Sequence, residues 1–390
     1  MLKLARLSPT HRLASRGTFP LVSKPSQHPY RRYYASIPSA AAEAEISSSR
    51  NYCIGLLRKF DWPSYVLQTF IPTRARDAYI AIRAFNVDLA NIADVTSSPT
   101  VGAMRMQFWR DAVKKAVAGR PPKEPVALFL SYAAEDLYKR TQGKQKISLA
   151  WLNRVISTRE KHLTNPPFPD LASVETYAES TYSTLLYLTL STLPMASITA
   201  DHLASHIGKA MGITTLLRGL PMIAFPNPRS QHTPAAPLGG SLGGTKQGNV
   251  LLPLDIMAEH GVREEDILRT GPAAKGLTDA VFAVATRAND HLITARTMLQ
   301  QLKSEGNVGH EFEHQHDEGH AYTADQRSLP AESQRNEVDK AFGVLMPAVS
   351  TRLWLQRLET VDFDVFNAKL NHREWKLPFA AYIAFSRRSF

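Results

Sequence analysis

Apolar residues recur every three or four positions along almost the whole chain, and this periodicity restricts the fold more than any other feature. It is clear in TRARDAYIAIRAFNVDLANIAD (73–94), VGAMRMQFWRDAVKKAVAG (101–119) and ADHLASHIGKAMGITTLLRGL (200–220). Such spacing places the apolar side chains on one face of an α-helix. No stretch alternates with the two-residue period of a half-buried strand. The sequence therefore predicts an all-α protein.

Two stretches interrupt the helical pattern. Residues 225–249 are rich in proline and glycine and predict an exposed loop, whereas residues 305–336 are polar and predict a disordered insert. In the second stretch, His310 and His314 would meet on one helical turn and hold a metal. A solvated histidine-rich insert is the interpretation we favour. Neither stretch divides the chain, so we predict one helical domain over residues 50–390.

The first 42 residues contain seven lysines and arginines and no acid. The stretch MLKLARLSPTHRLASR forms a basic amphipathic pattern if helical, which is typical of a mitochondrial transit peptide. An arginine three residues before Ala35 predicts cleavage between Tyr34 and Ala35. We therefore predict a transit peptide at 1–34 and a flexible linker at 35–49. A disordered basic tail is the alternative.

The charge balance argues against a nucleic-acid partner. The chain contains 46 lysines and arginines against 35 acids, a net charge of +11. Removal of the transit peptide takes seven basic residues and no acid, which leaves 39 against 35, or about +4. A chain so close to neutrality lacks the excess of basic residues that phosphate backbones attract.

One apolar helix, predicted at HIGKAMGITTLLRGLPMIAF (206–225), contains no carboxylate but has one arginine, Arg218, near its middle. Gly208 and Gly212, four positions apart, predict that this helix packs closely on a neighbour around a cavity. In QFWRD, Trp109 and Arg110 predict a packing anchor, in which the arginine stem lies along apolar surface and its charge stays in water.

From about residue 50 to the end, the chain resembles the squalene/phytoene synthase family. The resemblance lies, in order, in LLRKFDWPSYVLQTFIPTRARDAYIAIRAF (56–85), RMQFWRDAV (105–113), the helix 206–225 and VLLPLDIMAEHGV (250–262). It implies an isoprenoid-synthase-type helical bundle. In active members, aspartate-rich motifs on two facing helices hold Mg²⁺ against a prenyl diphosphate, because Mg²⁺ requires oxygen ligands in near-octahedral geometry.

The first of these motifs is incomplete in this chain. By the resemblance it falls on residues 90–94, where Ala90 takes the place of the leading aspartate, Asn91 follows, and Asp94 remains. Asp88 does not replace the missing acid, since six helical positions separate it from Asp94 by roughly 120°.

The second motif has lost its expected amide and acids but keeps its arginine, Arg218. The three ligand positions fall on Thr215, Gly219 and Ile223. The resemblance therefore implies a vestigial diphosphate pocket with no catalytic residue and no cofactor, and with Mg²⁺ only if the chain is an enzyme after all. Its residues are Asn91, Asp94, Thr215, Arg218 and Gly219. For Arg218 we favour an ion pair with an acid such as Asp94, and an anionic ligand or a catalytic role stay open.

Mitochondrial targeting and missing aspartates together resemble a non-catalytic mitochondrial branch of this family. The branch implies a factor in the matrix, peripheral to the inner membrane, that helps respiratory complex I to assemble. The implied partners are complex I subunits or assembly intermediates, the inner-membrane surface, and a lipid or isoprenoid ligand. Two other classes stay open: an active prenyltransferase, which needs metal ligands from other positions, and an isoprenoid or lipid carrier, which needs only the cavity.

Overall fold

The structure, a computed structural model, describes residues 40–96, 98–226, 248–304 and 331–390. Every regular element within these ranges is a helix, and the all-α prediction is confirmed for them. The predicted transit peptide, its cleavage site and the histidines of the second insert lie outside the described residues. In the described ranges, no helix is both long and apolar enough to cross a membrane.

Fifteen α-helices follow one another in the described ranges. They are α1 (Ala40–Phe60), α2 (Trp62–Leu67), α3 (Thr73–Val95), α4 (Pro99–Val117), α5 (Pro125–Arg140), α6 (Leu149–Lys161), α7 (Leu171–Ala178), α8 (Thr184–Leu190), α9 (Ile198–Ala224), α10 (Leu254–Glu259), α11 (Glu264–Thr270), α12 (Leu277–Ser304), α13 (Ala331–Leu345), α14 (Pro347–Glu359) and α15 (Leu377–Arg387). A short π-helical segment, Glu179–Ser183, joins α7 to α8.

Several helices begin at a side chain that accepts a hydrogen bond from the first turn. This capping satisfies amide groups that have no partner inside the helix. The capping residues are Asp61 for α2, Ser98 for α4, Glu124 for α5, Ser148 for α6, Asp170 for α7 and Ser197 for α9. The boundaries of these helices thus follow from local sequence.

The first helix begins earlier than the sequence predicted. Residues 35–49 were expected to form a flexible linker, but α1 starts at Ala40 and runs without a break to Phe60. The prediction is wrong for residues 40–49. The run AAAEAE has high helix propensity, and Cys53 and Leu57 anchor the same helix by burial in the core against α3 and α5. The second insert also ends earlier than expected, because residues 331–336 belong to α13.

Helix α9 lies at the centre of the molecule. It contacts α7, α8, α12, α13 and α14, and buried side chains occur all around it. A helix that is apolar on every face is one that neighbours surround. The buried apolar side chains form one continuous core cluster that extends from Cys53 to Phe390. Helices α3 and α9 both belong to this core, and a cavity remains between them.

Candidate functional site

A cavity of about 240 Å³ lies between α2, α3, α9 and α14. Helix α3 lines it with five side chains spaced three and four apart, which places them on a single helical face. They are Arg83, Asn86, Val87, Ala90 and Asn91. Helix α9 contributes a second face with the same spacing, formed by Met211, Thr214, Thr215 and Arg218. The cavity is thus bounded by facing stripes of two buried helices.

Arg83 is the most unusual residue of the cavity wall. Its side chain is 1% exposed, yet Nε and Nη2 have no hydrogen-bond partner in the described part of the chain. The guanidinium lies 5.5 Å from the ring centroid of Tyr79. Buried donors without acceptors are destabilising, because no hydrogen bond offsets their desolvation. An anion in the cavity would supply the missing acceptors.

Arg218 lies on the facing helix and stacks on Trp354 of α14, with its guanidinium carbon 5.3 Å from the ring centroid. Arg218 is exposed by its surface area, although many protein atoms lie close to the guanidinium. Partial desolvation by these atoms lowers the pKa of Arg218, against the opposing effect of Asp61. The predicted ion pair with Asp94 is not found, and Arg218 forms no salt bridge with any described carboxylate. A ring, not an acid, packs on this arginine.

A third guanidinium lies behind the cavity wall. Arg159 of α6 donates from Nη2 to Asn86 Oδ1 at 2.6 Å and lies 5.8 Å from the ring of Tyr182. Asn86 and Tyr182 both line the cavity. The amide of Asn86 therefore presents its oxygen to Arg159, and the positive charge extends beyond the lining residues themselves.

The carboxylate among the described lining residues is Asp61. It caps α2, where Oδ1 accepts a hydrogen bond from the Ser64 amide at 3.2 Å. Thr215 is satisfied within its own helix, since its hydroxyl donates to the Met211 carbonyl oxygen at 2.7 Å. Thr214 is buried, and its hydroxyl has no described partner. The polar groups of the cavity are therefore mainly cations, amides and hydroxyls.

Three of the five residues predicted for the vestigial pocket line this cavity. Asn91, Thr215 and Arg218 do so, whereas Asp94 and Gly219 lie outside the lining. The predicted motif at 90–94 meets the cavity at its first two residues, Ala90 and Asn91, because the face of α3 that lines the cavity runs from residue 83 to 91. Asp88 points elsewhere, toward Glu124 and Tyr52.

Sequence reasoning did not single out Arg83, Asn86 or Arg159. A signal existed for Arg83, since a charge inside the apolar stretch YIAIRAF is as unusual as Arg218 in its own helix. Arg159 and Asn86 are 73 positions apart, so no local pattern connects them.

The residues predicted as packing anchors lie away from the cavity. Trp109 is 5% exposed and packs edge-on against Phe85, with centroids 5.5 Å apart. Arg110 pairs with Glu160 of α6, and that hydrogen bond raises the pKa of Arg110. Gly208 and Gly212 lie where α9 crosses residues 178–183, and a Cβ on either glycine would overlap atoms of that segment.

A magnesium cluster of the kind that the resemblance implies does not fit this lining. Mg²⁺ sites use several carboxylate or other oxygen ligands together, but the described cavity offers Asp61 and two arginines. Across the described ranges, no group of three His, Cys, Asp or Glu side chains could hold a metal ion.

The sequence profile of squalene/phytoene synthase matches residues 57–376, which is most of the chain. The chain belongs to the squalene/phytoene synthase family. Within that family it is similar to NADH dehydrogenase (ubiquinone) complex I, assembly factor 6 of Mus musculus, with 34% identity over 352 residues, 90% of this chain and 86% of the relative. The Homo sapiens protein of that name is 33% identical over 340 residues, 87% and 83% of the two chains.

Solved structures of the family have the same fold. A dehydrosqualene synthase in complex with ligand superposes with a TM-score of 0.62 at 15% identity, covering 89% of this chain and 99% of that one. Squalene synthase HpnC from Alicyclobacillus acidocaldarius gives a TM-score of 0.55 at 12% identity, covering 82% and 97%. The predicted isoprenoid-synthase-type bundle is therefore confirmed.

Proposed function

We propose that this chain is a non-catalytic assembly factor for mitochondrial respiratory complex I that works in the matrix at the surface of the inner membrane. The observation that carries the proposal is the similarity along nearly the whole length to relatives named as complex I assembly factor 6. The basic, acid-free first 42 residues support a mitochondrial destination. Its partners are complex I subunits or their assembly intermediates.

The composition of the cavity supports the non-catalytic part of the proposal. Ionisation of a prenyl diphosphate leaves a concentrated negative charge that metal ions held by carboxylates neutralise. Here the two facing stripes present Asn86, Ala90 and Asn91 on one side and Thr214 and Thr215 on the other. None of these five side chains is an ionised oxygen ligand, so the stripes retain the shape of a substrate site without its metal-binding chemistry.

Deletion of the gene tests the assembly role. Assembled complex I on blue-native gels should fall, while the other respiratory complexes stay unchanged. Full rescue by Asn91→Ala and by Thr215→Val would agree with a role that does not use the old ligand positions. Unchanged complex I in the deletion strain would overturn the proposal, and altered sterols or carotenoids in its place would favour an enzyme.

A turnover assay tests the non-catalytic part separately. Purified protein with Mg²⁺ and farnesyl or geranylgeranyl diphosphate should release no diphosphate above a boiled control. Metal-dependent release that Asp61→Asn abolishes would show an active prenyltransferase with ligands from new positions.

A second candidate function, an isoprenoid or lipid carrier, is favoured by one observation, the two buried nitrogens of Arg83, Nε and Nη2, that have no acceptor in the described chain. An amphiphile with an anionic head would supply its acceptors, and about 240 Å³ admits the head and a short part of the tail. Native mass spectrometry of the purified protein should then find a bound anionic lipid that Arg83→Met releases. If the unaltered protein has the mass of the chain without a ligand, the carrier function is wrong and the assembly role remains.

A further inference from the structure

A larger groove lies apart from this cavity, between α12, α14 and α15, and its volume is about 760 Å³. Its apolar wall includes Phe282, Leu355 and Ile383, and its basic wall consists of Arg296, Arg352 and Arg387. Volumes of this size suit a small-molecule ligand or part of a larger amphiphile.

Two of the arginines lie close together with unused donors. Nε of Arg352 is buried and has no hydrogen-bond partner in the described chain. Arg296 donates from Nε to the main-chain oxygen of Phe390 at 2.8 Å, and no described residue accepts a hydrogen bond from its two terminal nitrogens. Burial, and then the charge of Arg296, lower the pKa of Arg352. These two guanidinium groups therefore repel each other, and no Asp or Glu side chain in the described structure pairs with either of them.

The acidic side chain that lines the groove does not neutralise its basic wall. Glu359 lines the groove and is exposed, and it forms no ion pair with any of the three arginines in the described structure. Among the lining side chains, three guanidiniums against one carboxylate leave the groove wall positive. The planar fork of a guanidinium matches the oxygens of a phosphate, which it binds with two parallel hydrogen bonds.

The rim of the groove carries a stripe of exposed apolar side chains on α15. Phe379 and Tyr382 are each 67% exposed and Ile383 is 50% exposed. Their spacing of three and four places them on one helical face. Ile383 also lines the groove, so the stripe and the basic wall adjoin. Trp375, just before the helix, is 71% exposed. Aromatic side chains beside basic ones are typical of helices that lie at a membrane surface.

We propose that this groove is a binding site for the anionic headgroup of a membrane phospholipid. The phosphate lies between Arg296 and Arg352, and the start of an acyl chain lies along Phe282 and Ile383. The exposed stripe of α15 rests at the boundary between headgroups and acyl chains. A soluble phosphate would use the arginines but leave the apolar wall and the stripe in water, which is why a lipid is the occupant that fits. This inference deepens the membrane location proposed above and rests on it.

Flotation with vesicles tests the site directly. The chain without residues 1–34 should float with phosphatidylcholine vesicles that contain about 20 mol% cardiolipin or phosphatidylglycerol, and not with pure phosphatidylcholine. Each basic residue near an anionic surface contributes about fivefold to binding, so Arg296→Gln with Arg352→Gln should weaken it by about thirtyfold. The double variant Phe379→Ser with Tyr382→Ser keeps every charge and should also weaken vesicle binding.

Three controls make the result decisive. Arg105→Gln with Arg263→Gln removes two exposed charges outside the groove, and an equal loss of binding would show diffuse attraction and overturn the site. Arg352→Lys keeps the charge but not the fork, so binding should still fall. Thermal unfolding of each variant shows whether it is still folded. If a variant at Arg296 or Arg352 unfolds, Arg387→Gln, which changes an exposed arginine of the same wall, tests the site in its place.

The outcome is separable from the assembly role. Variants that lose vesicle binding but still restore complex I in the deletion strain would show that the groove binds lipid without being needed for assembly. If the unaltered protein restores complex I but does not bind anionic vesicles, the lipid site is wrong and the assembly role is not affected. If inorganic phosphate raises the unfolding temperature while vesicles do not bind, the groove is a soluble-anion site and the proposal is wrong.

Discussion

Asp88 shows how a single residue in this fold depends on its surroundings. It is half-buried between α3 and the first residues of α5, near the carboxylate of Glu124. Burial, and then the charge of Glu124, raise the pKa of Asp88 to about 6. Glu124 itself caps α5 through hydrogen bonds from the amides of Val126 and Ala127. Two carboxylates near each other thus disfavour the ionised form of Asp88.

We predict that Asp88→Asn stabilises the protein at neutral pH. The folded-state pKa lies above the unfolded value, so ionisation opposes folding, and the penalty grows from about pH 4 to pH 6 and is complete above that range. The gain in the free energy of unfolding should be about 1–2 kcal/mol at pH 7, after allowance for partial exposure, and should largely disappear near pH 4. Urea unfolding at both pH values measures it.

The exposed Asp111 on α4 offers a matched control for this effect. Asp111→Asn should change stability by less than about 0.5 kcal/mol at either pH. A loss of stability in Asp88→Asn at pH 7 would mean that the carboxylate makes a favourable contact that outweighs its burial.

At the scale of helices, close packing of α9 requires two of its glycines. A Cβ on Gly208 would lie 2.5 Å from the main-chain nitrogen of Ser183, and a Cβ on Gly212 would lie 2.9 Å from Ala178 Cα. Main-chain atoms in the middle of a packed segment cannot move aside as a flexible side chain can. Gly219, on the same helix, would meet only Ile223 Cδ1 at 3.7 Å.

We predict opposite effects for alanine at these positions. Gly208→Ala should destabilise the protein by about 1–3 kcal/mol or more, because overpacking outweighs the gain in helix propensity. Gly219→Ala should be neutral or stabilising by up to about 1 kcal/mol, since only the propensity changes. Thermal unfolding of the two variants side by side provides the comparison. Equal effects would show that the contact between α9 and Ser183 relaxes freely.

Another contact between elements joins α7 to α12. Glu175 accepts hydrogen bonds from Arg287 and from His291 Nε2, the latter at 3.2 Å, and His291 also lies 3.0 Å from His206 Nδ1 on α9. Burial alone would raise the pKa of Glu175, but the hydrogen bonds from His291 and Arg287 bring it to about 2. Three helices therefore meet at one ionised carboxylate.

We predict that Glu175→Gln lowers stability at neutral pH by about 1–2 kcal/mol, after allowance for screening of this half-buried group. The folded-state pKa lies below the unfolded value, so this stabilisation is present above about pH 4.5 and is lost as the pH falls toward 2. The difference between the two proteins should narrow over that range in urea unfolding. Asp136→Asn, which removes the pair between an exposed carboxylate and Arg140, should have little effect.

At the scale of the whole molecule, the first described helix begins very close to the predicted processing site. We predict a mature amino terminus near Ala35, which leaves five residues before α1 starts at Ala40. Cleavage near Ala35 keeps all of α1, including Cys53 and Leu57, which are part of the core. Sequencing of the amino terminus from isolated mitochondria measures it. An intact Met1 in a cytosolic fraction would contradict both the site and the location.

The sequence by itself determined the helical character of the chain, many helix boundaries and the family. Periodicity and capping are local: Ser197 begins α9, and the spacing of apolar residues defines each helix without knowledge of its neighbours. The sequence also pointed to Arg218, because a charged residue within an apolar helical stretch can be recognised without a structure.

Only the tertiary structure decided which face of α3 meets the cavity and what surrounds each arginine. Residues Ala78–Val87 of α3 are all buried, and a helix that neighbours enclose has no polar face to show its orientation. The sequence therefore pointed to Ala90 and Asn91 but not to Arg83 and Asn86, which lie on the same face one or two turns earlier. The ring that stacks on Arg218 and the amide that binds Arg159 come from helices far away in sequence. Contacts of that kind arise from packing, which no local pattern of residues records.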